Sequence, residues 1–122
     1  MKIPRPTEDD RERFTGLVPD APQVEVKPMF GNLGAFVNGN MFMGLFGSDI
    51  GIKLPAGDEH RLLAEPGAGP FGPQERPMAG YVTIPANWPA DTADDWIGRS
   101  LAYVAGLPPK KPKTPQERAP AA

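Results

Sequence analysis

Few residues in this sequence could do acid–base, nucleophilic or metal chemistry. His60 is the only histidine, and Asp58 and Glu59 directly precede it. A metal ion needs about three or four convergent ligands, and neighbours in a helix do not face one another, so we interpret this triplet as a solvated helix surface. The only serines, Ser48 and Ser100, have no base near them in the sequence. The sequence therefore predicts neither an enzyme nor a metal or other cofactor.

A glycine-rich segment, residues 67–72, matches the dinucleotide-binding pattern G-x-G-x-x-G. That pattern holds a pyrophosphate only where a strand precedes it and a helix follows it. Pro66, Pro70 and Pro73 exclude both elements here. We interpret the segment as a chance match inside a loop over residues 65–77, in which Phe71 is the one apolar anchor.

Methionine and tryptophan side chains offer a different kind of chemistry, namely binding. Met29, Met41, Met43 and Met78 could form an adaptable binding surface, because the methionine side chain repacks easily. The alternative is that they fill the core. Trp88 stands outside the strong patterns, either as a loop anchor, which we prefer, or as an exposed contact.

The charge balance bears on nucleic-acid binding. The formal net charge is −2, and the carboxyl-terminal tail holds Lys110, Lys111 and Lys113, so the rest of the chain is more acidic than the whole. A nucleic-acid footprint needs a basic face, and we expect no direct nucleic-acid binding. The basic tail could touch phosphate or an acidic partner, but it more commonly acts as a solvating end.

A β-hairpin must organise the rest of the chain. Asn38-Gly39 lies between two apolar runs and favours a two-residue type I′ turn. The turn predicts the pairs Val37–Asn40, Phe36–Met41, Ala35–Phe42 and Gly34–Met43. Alternation then places Leu33, Ala35, Val37, Phe42 and Phe46 on one face, and Phe36, Met41, Met43 and Leu45 on the other. Since both faces are apolar, we expect both to be covered, by helices, by the tail or by a second copy of the chain.

Other elements follow from caps, breakers and periodicity. We predict helices over about 7–17, capped by Thr7, over 56–64, and from a Thr92–Asp95 capping box to a C-cap at Gly106. Further strands are predicted over 23–27, 50–54 and 78–84. The fold class is α+β, a two-layer domain with an antiparallel sheet of about five strands and helices before, between and after the strands. The domain spans 7–107, after a flexible lead over 1–6 and before a disordered tail over 108–122.

The hairpin residues resemble those of the TfoX N-terminal domain family, the competence-regulator or Sxy-like family. The resemblance rests on Lys27, Met29, Phe30 and Gly31, then on Gly34, Phe36, Gly39, Met41 and Phe42, and on Lys53. Phe71, Met78, Tyr81, Pro85 and Trp96 follow the family spacing more loosely. The resemblance implies an α+β domain without known catalysis. In longer regulators, this domain precedes a helical domain and takes part with other transcription proteins in switching on DNA-uptake genes. We expect a stand-alone domain here.

Two functions are therefore open. The first is a non-enzymatic interaction or regulatory module that binds a protein partner, or itself, through a sheet face or edge. The second is a small-ligand-binding domain with a pocket between the sheet and the last helix, lined by Phe42, Met43, Tyr81 and Trp96. The sequence has no cysteine and no membrane-spanning apolar run, so we expect a cytoplasmic protein.

Overall fold

The computed structural model describes residues 4–29 and 31–109 of the chain. Its elements are α1 (Glu8–Leu17), β1 (Val24–Met29), β2 (Asn32–Val37), β3 (Asn40–Phe46), β4 (Asp49–Lys53), α2 (Ala56–Leu63), β5 (Gly69–Pro70), β6 (Tyr81–Thr83) and α3 (Ala90–Ala105). The strands form one antiparallel sheet in the order β1-β2-β3-β4-β6-β5. This confirms the predicted α+β class, with six strands where about five were expected. The additional strand is β5, a two-residue segment of the predicted loop.

One face of the sheet carries the helices. Phe14 of α1, Leu62 of α2 and Ile97 of α3 belong to the same buried cluster as Ile52 and Val82 of the sheet. All five side chains are at most 1% exposed. We call this side the helix face and the opposite side of the sheet the open face.

The predicted turn at the hairpin tip is confirmed. Asn38 has φ 53° and Gly39 has φ 80°, as a type I′ turn requires. The first two predicted pairs, Val37–Asn40 and Phe36–Met41, also form. The Asn-Gly sequence therefore fixes the reversal and the register next to it.

Beyond those two pairs the predicted register is wrong, because β3 contains a bulge. Ala35 pairs with Met43, Gly34 with Gly44 and Leu33 with Leu45, which leaves Phe42 as an extra residue on β3. Phe42 and Met43 both lie in the core cluster, and Leu45 joins them on the helix face. Phe46 moves to the open face with Met41 and Phe36. The predicted face assignments of Met43, Leu45 and Phe46 are thus inverted.

A long-range hydrogen bond holds the bulge. The Ser100 hydroxyl, on α3, donates to the Phe42 carbonyl at 2.8 Å, and the Ser100 side chain is fully buried. This bond satisfies a carbonyl at the point where the ladder between β2 and β3 is interrupted. Ser100 therefore has a structural role rather than that of a nucleophile.

The predicted start of α1 and the predicted end of α3 are confirmed, whereas the predicted start of α3 is not. Thr7 and Asp10 form a capping box at α1, with N···O distances of 3.1 and 2.8 Å. Gly106 is the C-cap of α3, as predicted. However, α3 begins at Ala90 after Pro89, so the predicted Thr92–Asp95 capping box is wrong. Proline is well suited to a helix start because it fixes φ and lacks the N–H that would be left unpaired.

Some predictions fall on residues outside the described part of the chain. These are residues 1–3 of the predicted lead, Phe30 of the family motif, and most of the predicted tail, including Lys110, Lys111 and Lys113. Within the described part of the lead, Pro6 is buried and the Pro4 carbonyl accepts a hydrogen bond from Asn32 at 3.1 Å.

Candidate functional site

A row of glycines crosses the open face of the sheet. Successive strand partners are Lys27 with Gly34, Gly34 with Gly44, and Gly44 with Gly51. Residues directly opposite each other in a sheet share a face, so these four positions form one line across β1, β2, β3 and β4. None of the three glycines has a side chain of its own, and the side chains of other residues lie over all three. The middle of the open face is therefore a shallow trough.

Phe71 fills one end of the trough. A methyl group added at Gly51 would overlap its ring, and one added at Gly44 would lie 3.3 Å from the ring edge. Phe71 is 2% exposed, and its ring centre lies 6.2 Å from that of Phe46 and 6.1 Å from that of Tyr81. The predicted anchor of the glycine- and proline-rich loop is thus a phenyl ring seated on the sheet backbone.

An open apolar groove lies beside Phe71, with Gly44 as the one glycine of the row in its lining. Its cavity volume is about 350 Å³. The lining residues share an apolar character, with one exception, Asn32; they are Met29, Asn32, Leu33, Met41, Gly44, Leu45, Phe46, Phe71, Pro73 and Met78. The groove lies between the hairpin strands and the loop that carries Phe71. It supplies a surface for an apolar group and, within this lining, no acid, base or nucleophile.

Methionine thioethers form much of the groove wall. An atom added at Gly34 would lie 2.9 Å from the Met29 sulfur and 3.0 Å from the Met41 sulfur, and also 2.9 Å from the Phe36 ring. These side chains therefore cover Gly34. Met78 approaches from the loop. Met43, the fourth methionine considered above, is fully buried on the helix face. Three of the four methionines therefore contribute to one adaptable surface.

Two lysines flank this surface on the open face. The Lys27 Nζ lies 5.3 Å from the ring centre of Phe36, and the Lys53 Nζ lies 5.6 Å from that of Tyr81. Both are cation–π distances. Among residues 4–29 and 31–109, the ion pairs that form involve Asp58, Arg61 and Arg99, and neither lysine takes part in one.

Tyr81 and Asn32 fix the walls of the groove through buried polar contacts. The Tyr81 hydroxyl donates to the Met41 carbonyl at 2.8 Å, and burial raises the pKa of Tyr81 to about 12. Asn32 is 5% exposed; its Nδ2 donates to Pro4 O at 3.1 Å, and its Oδ1 accepts from the Gly47 N–H at 2.8 Å. These contacts satisfy the buried polar atoms, so the groove lining is left with mainly apolar contacts to offer.

The pocket residues expected from the sequence do not converge. Phe42 and Met43 are fully buried under α3, whereas Tyr81 lies on the open face beside Phe71. Trp96 of α3 is half-buried against the core, with its ring centre 6.3 Å from that of Trp88. Trp88 is half-buried against the core, which agrees with the loop-anchor interpretation. The groove described above lies on the opposite face of the sheet from the expected pocket.

The residues that the sequence analysis considered for chemistry lie on different elements of the described structure. His60 is exposed on α2, and Asp58 pairs with Arg61 at 3.2 Å and with Arg99 at 3.8 Å. In the described part of the chain, no group of three histidine, aspartate or glutamate side chains could hold a metal ion. Ser48 is exposed in the turn between β3 and β4.

Many residues that carry the family resemblance lie on the groove side of the sheet. Lys27, Met29, Gly34, Phe36, Met41 and Lys53 all belong to the open face by strand register. Gly39 and Gly31 have φ of 80° and 82°, values that favour glycine. Phe42 is the bulge residue. The sequence motif thus describes the hairpin, its bulge and one side of the groove.

Comparison with known families matches residues 16–103 to the TfoX N-terminal domain. No curated protein matches the chain, and no solved structure does. Within the residues that the structure describes, no helix combines the length and the apolar character needed to cross a membrane.

Proposed function

This chain belongs to the TfoX N-terminal domain family, and we propose that it acts as a non-enzymatic interaction module that holds an apolar side chain of a protein partner in the open-face groove. The observation that carries the proposal is the groove itself: about 350 Å³ of apolar space on the sheet face opposite the three described helices. Apolar clefts with few polar groups commonly serve as binding sites. Its methionine walls can adjust to the shape of the incoming side chain.

The sheet edge offers less to a partner than the sheet face. In β1, the Val24 N–H already donates to Ala21 O at 3.0 Å, so it points away from β2. Alternate residues direct their backbone groups to the same side, which places Val26 and Pro28 on the outer edge with Val24. Proline has no N–H, so within the described part of the chain Val26 is the one residue of β1 whose outward N–H has no hydrogen-bond partner. Strand addition from a partner or a second copy would gain little there.

We propose that the result of partner binding is regulatory, and the support for this role is membership of the family. Longer regulators that this chain resembles act with other transcription proteins, so a contact that docks one protein on another is consistent with such a role. A cytoplasmic location is part of the proposal and is supported by the cysteine-free sequence, which suits a reducing compartment.

Site-specific crosslinking tests the proposed binding face. The photoreactive residue p-benzoylphenylalanine would replace Met78 in the groove or, as a control, Leu63, which is 42% exposed on α2. We expect a host protein to crosslink from position 78 only. The purified partner should then bind the parent chain and the Leu63→Glu variant, but not the Met41→Glu variant. Equal crosslinking from both positions, or equal binding by both variants, would contradict the proposal.

A second candidate function is small-ligand binding in the same groove. The cavity volume of about 350 Å³ lies within the range of small-molecule sites, which are mainly apolar with a few polar groups. A thermal-shift screen of apolar metabolites tests this candidate, because a ligand that binds the native state raises the unfolding midpoint. A raised midpoint that persists in Met41→Glu would place binding elsewhere and count against the groove.

A further inference from the structure

We propose that Met29, Met41 and Met78 form a modification site at which a peroxide oxidises the three thioethers to sulfoxides, and that these sulfoxides close the groove to an apolar partner. The effect on the partner rests on the proposed interaction function, whereas the modification itself does not. In each step, hydrogen peroxide takes two electrons from one sulfur, a sulfur–oxygen bond forms as the oxygen–oxygen bond breaks, and water leaves.

The sulfur content of the chain directs oxidation to methionine. The sequence has five methionines and no cysteine, so no thiolate competes for the oxidant. Four of the five lie in the part of the chain that the structure describes, and three of these line the groove. Met43, the fourth, is fully buried in the core cluster on the helix face. The chain therefore concentrates oxidisable side chains at the candidate site and has one protected methionine for comparison.

A peroxide molecule can reach the groove methionines. Met29, Met41 and Met78 are each partly exposed, and the cavity that they line has a volume of about 350 Å³. One water molecule takes up about 30 Å³ of the liquid, so a peroxide with its two oxygen atoms fits easily. Met43 has no such access, because side chains in a close-packed core leave few voids larger than a water molecule. The structure therefore predicts fast oxidation at the groove and slow oxidation in the core.

Sulfoxide oxygens would make the groove lining polar. Oxidation converts an apolar thioether into a polar group that accepts hydrogen bonds. Asn32 has the one polar side chain of the lining, and its Nδ2 and Oδ1 already bond to Pro4 and Gly47. Little in the lining can donate to the new oxygens, so water would do so. An apolar side chain could enter only by removing that water, which leaves the sulfoxide oxygens without a donor and weakens binding.

Two of the sulfurs have little room for an added oxygen on the side of the sheet backbone. The Met29 and Met41 sulfurs cover Gly34, at 2.9 and 3.0 Å from the position that a Cβ atom would take there. The Phe36 ring covers the same position at 2.9 Å. An oxygen bonded to either sulfur must therefore point away from Gly34, where it takes space from a partner side chain. Oxidation should then reduce the volume of the groove as well as its apolar character.

Tandem mass spectrometry of the full chain tests the modification site. The folded chain is treated with hydrogen peroxide, and the sulfoxide at each methionine is measured over time. We expect the three groove methionines to react about ten-fold or more faster than Met43, because Met43 becomes accessible only when the core opens. In concentrated urea, these four methionines should react at similar rates. Equal rates in the folded chain would overturn the proposal.

Binding of the partner captured by crosslinking tests the effect of the sulfoxides. Oxidation of the parent chain should weaken binding about ten-fold, because polar groups then face the apolar side chain of the partner. Treatment with methionine sulfoxide reductase and a thiol reductant should restore the affinity. Circular dichroism before and after oxidation distinguishes this loss from unfolding of the domain.

Leucine substitutions are the matched controls, because leucine has a volume similar to that of methionine and no sulfur. A variant that combines Met29→Leu, Met41→Leu and Met78→Leu should have the same affinity before and after peroxide treatment, whatever its starting value. Met43→Leu should lose affinity on treatment as the parent does. Each single groove substitution should reduce the sensitivity in part, which keeps the test decisive if the triple variant does not fold.

The other outcomes overturn stated parts of the inference. A loss of affinity in the oxidised triple variant, unchanged binding by the oxidised parent, or unfolding of the oxidised parent would overturn the blocking effect. If no host protein crosslinks from position 78, the proposed function fails, and the rates of sulfoxide formation still decide the modification site.

Discussion

The ring of Phe71 lies on the backbone of Gly51 so closely that no side chain fits between the loop and the sheet. This one contact joins the segment between β5 and β6 to the centre of the open face. The same contact closes one end of the groove. The conformation of the loop and the shape of the groove are therefore coupled through a position that has no side chain.

Gly51→Ala should destabilise the domain by about 2–3 kcal/mol, because the new methyl group displaces a buried ring. Urea unfolding measures the change. Gly98→Ala is the matched control: Gly98 lies on α3 with open space around its Cα, and alanine there should stabilise by about 0.5–1 kcal/mol. In a Phe71→Ala background the cost of Gly51→Ala should nearly vanish, since no ring remains to be displaced. An undiminished cost in that background would contradict the proposed contact.

Gly39→Val should destabilise by about 1–3 kcal/mol, because Gly39 has φ 80° and a β-branched residue resists that conformation. Thermal unfolding of Gly39→Asn provides the comparison, since asparagine tolerates positive φ. We expect the asparagine variant to keep most of the parent stability. Similar losses in both variants would show that side-chain size, and not backbone conformation, limits this turn.

Ser100→Ala should cost about 1–3 kcal/mol, because it leaves the buried Phe42 carbonyl without its donor. Chemical denaturation measures this cost. The exposed turn residue supplies the control, and Ser48→Ala should change stability by less than about 0.5 kcal/mol. If the two variants were equally stable, the bulge would not need the α3 hydroxyl.

The phenol of Tyr81 should titrate at about pH 12, above its ordinary value of 10.0, because burial disfavours the phenolate. The native state keeps its proton longer than the unfolded chain, so the stabilisation is complete below pH 10 and is lost as the pH rises through about 12. Tyr103→Phe leaves Tyr81 as the single tyrosine, and its phenolate absorbance in the ultraviolet reports the pKa. Titration near 10 in the folded protein would contradict the observed burial.

The sequence predicted those features whose signals are local. Asn38-Gly39 specified the turn and the two pairs next to it, Thr7 specified the start of α1, and Phe71 was recognised as the loop anchor. Each signal acts through the conformation of one residue or through the periodicity of its own segment. Such information is present in the chain before any tertiary contact forms.

The candidate site depends on information that is not local. The bulge at Phe42 is stabilised by a hydrogen bond from Ser100, which is far away in the sequence. The residues next to Phe42 give no sequence signal for a bulge. Without the bulge, Gly34 would pair with Met43 instead of Gly44, and the row of glycines across the sheet would not form. The sequence does not determine the start of α3 either, because both Pro89 and Thr92 are good residues for a helix start. In the structure, α3 begins after Pro89.

The hydrogen bonds of Asn32 also determine where added sequence would emerge. Its amide holds Pro4 next to Gly47, so the first described residue lies beside Asn32, which lines the groove. A purification tag or fluorescent fusion at the amino terminus would compete with a partner for the same space. Reagents for binding studies are better attached to α3, because α3 packs on the helix face, opposite the methionine surface.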